Sequence, residues 1–415
     1  MKRIELSAAL WKDPRTAHSA LAAALGFPAY YGHNLDALYE CLTDLPQTQL
    51  TIEDCAQAAE QMPEKWPGFL AVFQDAAKDN AALEITLLPG KRGAGPAARS
   101  AKENPGLEQG LSTLLERYQV RRSRAQKEAF GRYVQLFSQE LGYSYQAETH
   151  KGLLTSRTLI VGDPEKAKVI FTAHYDTCAE MPVPNLIFPK NLALTILVQL
   201  PLVLLMVALG LGAGALAYGW TGDPLYYRIA FLAVYFGLFA LMFFGPANRH
   251  TANDNTSGVA ALLSIMAALP QARREAAAFL FFDNEEYGKV GSKRYSKAHP
   301  GLTEGRLLLN LDCIGDGDDF LIVAPKKAKE WLATALQDAF QDEGGKRAVH
   351  CSAKNTHYNS DQLSFPQGAA VAACRKNKLG YYVPRIHTRR DVICEKDNLA
   401  YVTHGALRLV EGLSH

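Results

Sequence analysis

The 415-residue sequence holds histidines and carboxylates that could bind divalent metal, spread over more than two hundred positions. His174 and Asp176 form a His-x-Asp pair, Asp254 stands between Asn253 and Asn255, Glu285 and Glu286 are adjacent, Asp312 ends an apolar run, and His387 comes late. Taken singly, each has an ordinary alternative: a surface pair, a solvated turn, or a helix cap for Asp254. Together they are the donor types that zinc accepts, and a bridging carboxylate lets two ions sit about 3.5–4 Å apart. Two such cations lower the pKa of a shared water, which makes hydroxide available near neutral pH. The chemistry implied is metal-assisted hydrolysis.

Residues so far apart need a framework to bring them together. Apolar runs at 168–173, 278–282 and 307–311 lead into His174, into Asp283 to Glu286, and into Asp312. Continuous apolar strands predict a mostly parallel sheet buried on both faces. Ligands placed after the carboxyl ends of such strands fall where α/β sites form. Tyr358, Ser360 and Asp361 either line the pocket or lie in a surface loop, while His357, His404 and His415 have no place in the pattern.

Two apolar runs interrupt this pattern. No charged residue occurs in the 32 positions between Lys190 and Asp223, or in the 20 between Arg228 and Arg249. About 20 apolar residues as helix cross a bilayer core, so 191–248 is predicted to be a transmembrane helical hairpin with the lipid bilayer as partner. Trp220, Tyr226 and Tyr227 stand where interfacial aromatics are expected. A hairpin returns the chain to its starting side, and the basic flanks Lys190 and Arg249 predict a multi-pass inner-membrane protein with both soluble domains cytoplasmic.

Composition bounds the rest. Forty-four Lys/Arg against 42 Asp/Glu leave +2, so no charge bias argues for a nucleic-acid partner. Values of 21% charged and 48% hydrophobic residues exclude a largely disordered chain. Seven scattered cysteines without a CxxC pair argue against a disulfide framework or a thiolate zinc site. Residues 1–90 carry −6, and the Gly/Pro/Ala-rich stretch 91–105 reads as a linker. A helical stretch over 106–141 carries Arg117, Arg121, Arg122, Arg124 and Lys127. They form either a solvated face or a contact with anionic lipid or with the acidic first domain.

In that first domain Asn34 is predicted to cap a helix over 35–42. Asp36 and Glu40 then share one face with Tyr39 nearby, which is either a solvated face or an anionic, aromatic contact for a basic partner. The stretch from Tyr30 and Tyr31 through Gly32-His33-Asn34-Leu35-Asp36 to Leu42 resembles barstar, the intracellular ribonuclease inhibitor, and the likeness spans nearly all of 1–90. It implies a small α/β domain with a three-stranded parallel sheet, whose acidic helix plugs a basic ribonuclease active site. The partner-binding positions it implies are Tyr30, Asp36, Tyr39 and Glu40. Tyr39 stands where the family has tryptophan, and Glu40 where it has aspartate.

The ordered set from His174 to His387 resembles the di-zinc aminopeptidase family that also contains the glutaminyl cyclases. That likeness covers most of 106–190 and 249–415, which implies one larger α/β zinc-peptidase domain interrupted by the hairpin. It implies His174 and Asp312 on one Zn2+ ion, Glu286 and His387 on the other, and Asp254 bridging both. Asp176 would orient His174, and Glu285 would be the general base for a zinc-bridging hydroxide that attacks a peptide bond. Ile386 stands where some members have an aromatic residue, which leaves oxyanion stabilisation without a residue. The function expected is a membrane-tethered di-zinc aminopeptidase with a barstar-like protein-binding module. The alternatives are an immunity or scaffold protein and glutaminyl cyclase-like chemistry.

Overall fold

Three short strands alternating with helices build the N-terminal part: β1 (Lys2–Ser7), β2 (Thr48–Glu53) and β3 (Leu83–Leu87) pair in parallel in the order β1-β2-β3. The computed structural model describes residues 2–8, 11, 13–28, 31–88, 105–181, 183 and 185–413. It divides into two compact units, Met1–Glu116 and Arg117–His415. In the first, Asp13 caps the helix Pro14–Leu25 by accepting from the Thr16 N–H, and Gly26 ends it at φ 73°, a left-handed position glycine takes without strain. The expected helix at 35 runs Leu35–Thr43, and the Asn34 side chain accepts from the Ala37 N–H. Its apolar face buries Leu38 and Leu42 against Trp11, Leu50, Phe69 and Phe73.

The opposite face of that helix leaves Asp36 and Glu40 exposed, while Tyr39 is half-buried and donates to Asp79 at 2.7 Å. Tyr30 lies outside the described residues, as do His415 and nearly all of the linker expected at 91–105.

The second unit is built on a nine-stranded mixed sheet. Its strands are β4 (Tyr145–His150), β5 (Ser156–Val161), β6 (Val169–His174), β7 (Ala277–Phe282), β8 (Leu307–Leu311), β9 (Asp319–Ala324), β10 (Arg347–Ser352), β11 (Gly368–Asn377) and β12 (Gly380–Tyr382). The order is β10-β9-β11-β8-β6-β7-β5-β4, with β12 on β11. The centre, β11-β8-β6-β7, is parallel, and every residue of β6, β7 and β8 is buried, as continuous apolar runs require. Towards the edges β5 joins β7, and β9 joins β11, in antiparallel sense. The outermost strands β4 and β10 carry exposed polar side chains.

The helical stretch expected over 106–141 is two helices, Pro105–Arg117 and Arg124–Glu140, the second opened by a capping box between Ser123 and Gln126. At three positions its cations are tied to protein groups instead of forming a free face. Arg121 is fully buried and donates to the Tyr175 carbonyl at 2.5 Å, the Thr256 hydroxyl at 3.1 Å and the Tyr118 carbonyl. Lys127 is paired with Asp283 at 2.6 Å. Arg122 donates to the carbonyls of Phe243 at 2.7 Å and Pro246 at 3.1 Å.

The apolar insertion is a helical hairpin, Leu192–Thr221 and Pro224–Phe244, turning at Gly222 with φ 68°. At about 1.5 Å per residue the 30- and 21-residue helices are roughly 45 and 31 Å long, enough for a bilayer core of about 30 Å. Gly210 and Gly214 let the helices approach: a Cβ there would meet the rings of Phe231 at 3.0 Å and Tyr227 at 2.9 Å. Beyond Met206 and those two glycines no hairpin residue is buried, and Leu197, Leu204, Leu216 and Phe236 face outward. A core helix of a soluble protein would bury these side chains, and a water-facing surface rarely carries so large an apolar patch.

In the first unit His18 is buried, its ring against Phe69 (centroids 4.8 Å apart) and its Nδ1 on the Tyr31 hydroxyl. Burial, reinforced by His33, pushes its pKa down to about 4. The unfolded chain binds this proton near pH 6.5 and the folded one only near 4, so stability is complete above 6.5 and falls as pH drops through that window. Tryptophan fluorescence during thermal unfolding should therefore show the first unit melting earlier at pH 4.5 than at pH 7. His18→Phe should flatten that dependence.

Candidate metal centre

Because β8, β6 and β7 are adjacent and parallel, their carboxyl ends lie along one edge of the sheet. His174 is the last residue of β6, the Glu285–Glu286 pair follows β7, and Asp312 follows β8. Asp254 sits in the turn before the buried helix Gly258–Ala268. Asn255 fixes that turn: its amide donates to the Leu311 carbonyl at 3.1 Å and its oxygen accepts from the Gly258 N–H at 3.1 Å. His387 and Asn284 have left-handed backbones, φ 62° and 59°, which histidine and asparagine adopt more readily than most residues.

These elements bring His174, Asp254, Glu286, Asp312 and His387 together. His174 Nε2 lies 3.3 Å from Asp254 Oδ1 and 3.7 Å from Asp312 Oδ1. His387 Nε2 lies 3.1 Å from Asp254 Oδ2 and 3.3 Å from Glu286 Oε2. The two oxygens of one carboxylate thus face two imidazoles.

The separations exceed the roughly 2.7–2.9 Å of a charge-assisted hydrogen bond. They fall instead around the edge of a zinc coordination tetrahedron, about 3.3–3.6 Å for N and O ligands about 2.0–2.2 Å from the ion. Asp312 Oδ1 and Glu286 Oε1 are buried with no hydrogen-bond partner among the described residues, as expected of atoms whose partner is an ion. The donors therefore fit zinc.

Charge in the cluster is unbalanced. Burial pushes Glu286 up to about 8 and Glu285 well above the usual glutamate range, with the nearby carboxylates adding to both and the histidines opposing. Burial would raise Asp254 too, but the His174 and His387 rings override it and hold it low. Burial likewise opposes a charge on His387, yet Glu286 and Asp254 raise it to about 9.

Asp176, expected to orient the His174 ring, meets it mainly through its main-chain carbonyl. The His174 Nδ1 is 3.2 Å from the Asp176 carbonyl and 3.6 Å from its carboxylate. That carboxylate accepts the backbone N–H groups of Glu285 at 3.0 Å and Glu286 at 3.3 Å. Glu285 borders a cavity of about 750 Å³ that also contains the five clustered side chains.

Of the three residues left open between pocket and surface loop, Tyr358 lines this cavity and donates to the Asp312 carbonyl at 3.0 Å. Ser360 and Asp361 are buried beneath it. His357, expected to have no place, is exposed on the cavity wall, and His404 is exposed beside Glu343 at 2.8 Å. Sequence reasoning missed three contributors. Buried Asp391 accepts the backbone N–H groups of Asn253 at 2.7 Å and Asp254 at 3.0 Å. Arg121 lies beneath, and Cys178 places its sulfur beside the ligand atoms of Glu286 and His387, all within 4.8 Å. Only the position of Cys178, two residues past Asp176, could have hinted at any of them.

Comparison with known proteins agrees with both resemblances. Residues 1–88 match the family model of barstar (barnase inhibitor), and residues 238–410 that of peptidase family M28. The chain is 43% identical over 51 residues, 12% of its length, to a putative ribonuclease inhibitor, YrdF, of Bacillus subtilis (strain 168), spanning 56% of that protein. It is similar to a Porphyromonas gingivalis glutaminyl cyclase at 17% identity, covering 75% of this chain and 98% of that one, TM-score 0.49. It is also similar to a leucine aminopeptidase precursor from Bacteroides thetaiotaomicron VPI-5482 at 16% identity, covering 76% and 99%, TM-score 0.47. The chain thus joins an N-terminal barstar domain, 1–88, to a peptidase domain that matches family M28 over 238–410, and carries two candidate membrane-spanning helices.

Proposed function

We propose that this protein is a membrane-held di-zinc aminopeptidase whose barstar domain binds a basic, ribonuclease-like protein. The observation that carries the catalytic reading is Asp254, its two oxygens 3.3 and 3.1 Å from the Nε2 atoms of His174 and His387. His174 and Asp312 would hold one ion, Glu286 and His387 the other, and Asp254 would bridge them. Bound there, two zinc ions would polarise a peptide carbonyl and acidify water.

The chain's own residues supply the rest. Glu285, in the cavity wall beside the donors, takes the proton of the attacking water and returns it to the leaving nitrogen. Asp176 holds the backbone of Glu285 and Glu286 through both carboxylate oxygens, which fixes where each side chain starts. Asp391 does the same for the Asn253–Asp254 backbone. The exposed apolar hairpin supports an inner-membrane location through 191–248, and Lys190 and Arg249 at its base support a cytoplasmic place for both units. On the barstar helix, exposed Asp36 and Glu40 supply the acidic face, beside Tyr39, which is tied to Asp79.

Glu285→Gln should keep its zinc by elemental analysis and lose about 10²–10⁴-fold in kcat on aminoacyl fluorogenic substrates. Equal turnover would remove Glu285 from the mechanism. Asp391→Ala should leave two backbone N–H groups without their acceptor and weaken zinc retention roughly 10–100-fold against a competing chelator. For the first domain, Asp36→Ala with Glu40→Ala should lower its association rate with a basic ribonuclease, and the difference should shrink as salt is added. Rates indifferent to both changes would reject the acidic helix as the contact.

A further inference from the structure

A second cavity, of about 680 Å³, lies between the two hairpin helices and the segment that follows β6. Leu202, Leu205 and Met206 of the first helix face Phe239, Met242 and Phe243 of the second across it. It does not stand apart from the metal centre. Glu286 and His387 form part of its wall, and Asn185, Gln199, Phe243, Glu286 and His387 line both this cavity and the catalytic one. At that junction Gln199 donates to Asn185 at 3.0 Å, which leaves the polar groups at the shared mouth and the apolar ones beyond it.

We infer that this cavity is a specificity pocket for an apolar peptide segment, and that the preferred substrates carry three or four consecutive apolar residues beside the scissile bond. The inference rests on the peptidase reading above and deepens it. Three observations select this occupant. The pocket opens on the cluster where a peptide bond would be cleaved, so what fills it is attached to what is cut. Its wall runs from Phe243 to Tyr235, eight helical residues or about 12 Å, the length of three to four residues of extended peptide. Beyond the mouth the lining is almost wholly aliphatic, aromatic or thioether, so a charged segment would lose its water with nothing in return.

The same geometry gives the hairpin a second task. Its outward side chains face the surroundings, while its inward ones at the base build a wall of the substrate site. An apolar segment held in a bilayer would meet this pocket without crossing water.

The test uses the full chain in lipid nanodiscs, first stripped of metal by chelation so that binding is read without turnover. Anisotropy is measured with a dye-labelled peptide bearing Leu-Leu-Leu and its Ser-Ser-Ser counterpart, with empty nanodiscs subtracted. The parent protein should bind the tri-leucine peptide at least tenfold more tightly. Leu202→Trp, which fills the pocket, should remove that preference, and so should Met242→Trp from the other helix. Leu204→Trp, on the outward face, should keep it. Equal affinity for the two peptides, a lipid that the peptide fails to displace, or an unchanged preference in both filling variants would overturn the inference. Hydrolysis by the zinc-loaded protein is scored separately. Retained preference with no cleavage of any peptide would reject the peptidase reading and leave the pocket standing.

Discussion

Seven carboxyl groups crowd within and beneath the carboxyl edge of one sheet: Asp176, Asp254, Glu285, Glu286, Asp312, Asp361 and Asp391. Against them stand two imidazoles, the buried Arg121 and, one shell away, Lys127. Burying an anion without a counter-charge costs several kcal/mol, so a cluster of this kind is stable only if protons or cations supply the balance. The strain is visible in the acids: burial and mutual repulsion lift Glu286 and Asp391 to about 8 and Asp361 to about 7. Divalent cations among the five clustered donors would relieve that repulsion where it is densest, and the surrounding architecture meets this electrostatic demand by where it places them.

The central sheet meets the demand by adjacency. Parallel pairing of β6 with both β7 and β8 forces three strand ends to one edge, so side chains 138 residues apart in sequence, His174 and Asp312, need no long reach to meet. What parallel pairing cannot do is aim them. Aiming falls to polar groups that hold backbone rather than ligand: Asn255 across the ends of β6 and β8, Asp176 under the turn after β7, and Asp391 under Asp254. Each uses a buried side chain to satisfy main-chain groups that the turns would otherwise leave unpaired.

Among the clustered donors His387, in a turn, was legible only through the family resemblance, and Asp254 because it precedes a helix. His174, the Glu285–Glu286 pair and Asp312 were legible in the sequence because each follows an apolar run that marks a buried parallel strand. The hairpin was legible for the same reason at larger scale, as was the Asn34-capped helix. Supporting residues were not. Arg121 and Asp391 act on partners up to 138 residues away, and a lone arginine or aspartate in a charged stretch carries no mark of burial. The cations of the helical stretch read as a solvated face or a contact for lipid or the acidic first domain, because sequence shows charge but not its neighbours. The antiparallel strands towards the sheet edges were hidden too, since a buried apolar run reads the same in either direction.

Arg121 and Arg122 show how the hairpin and the metal centre are joined. The first is sealed under the turn after β6 and reaches Thr256, two residues after Asp254. The second, one residue on, takes the carbonyls of Phe243 and Pro246 at the end of the second hairpin helix, where the helix dipole is negative and the last carbonyls lack helical partners. Consecutive guanidinium groups therefore tie the base of the hairpin and the Asp254 turn to one short loop. A wall of the apolar pocket, Phe243, is part of that tie. Guanidinium hydrogen bonds from Arg122 to main-chain carbonyls thus help to fix this wall of the pocket relative to the donors, as a specificity site requires of the elements that build it.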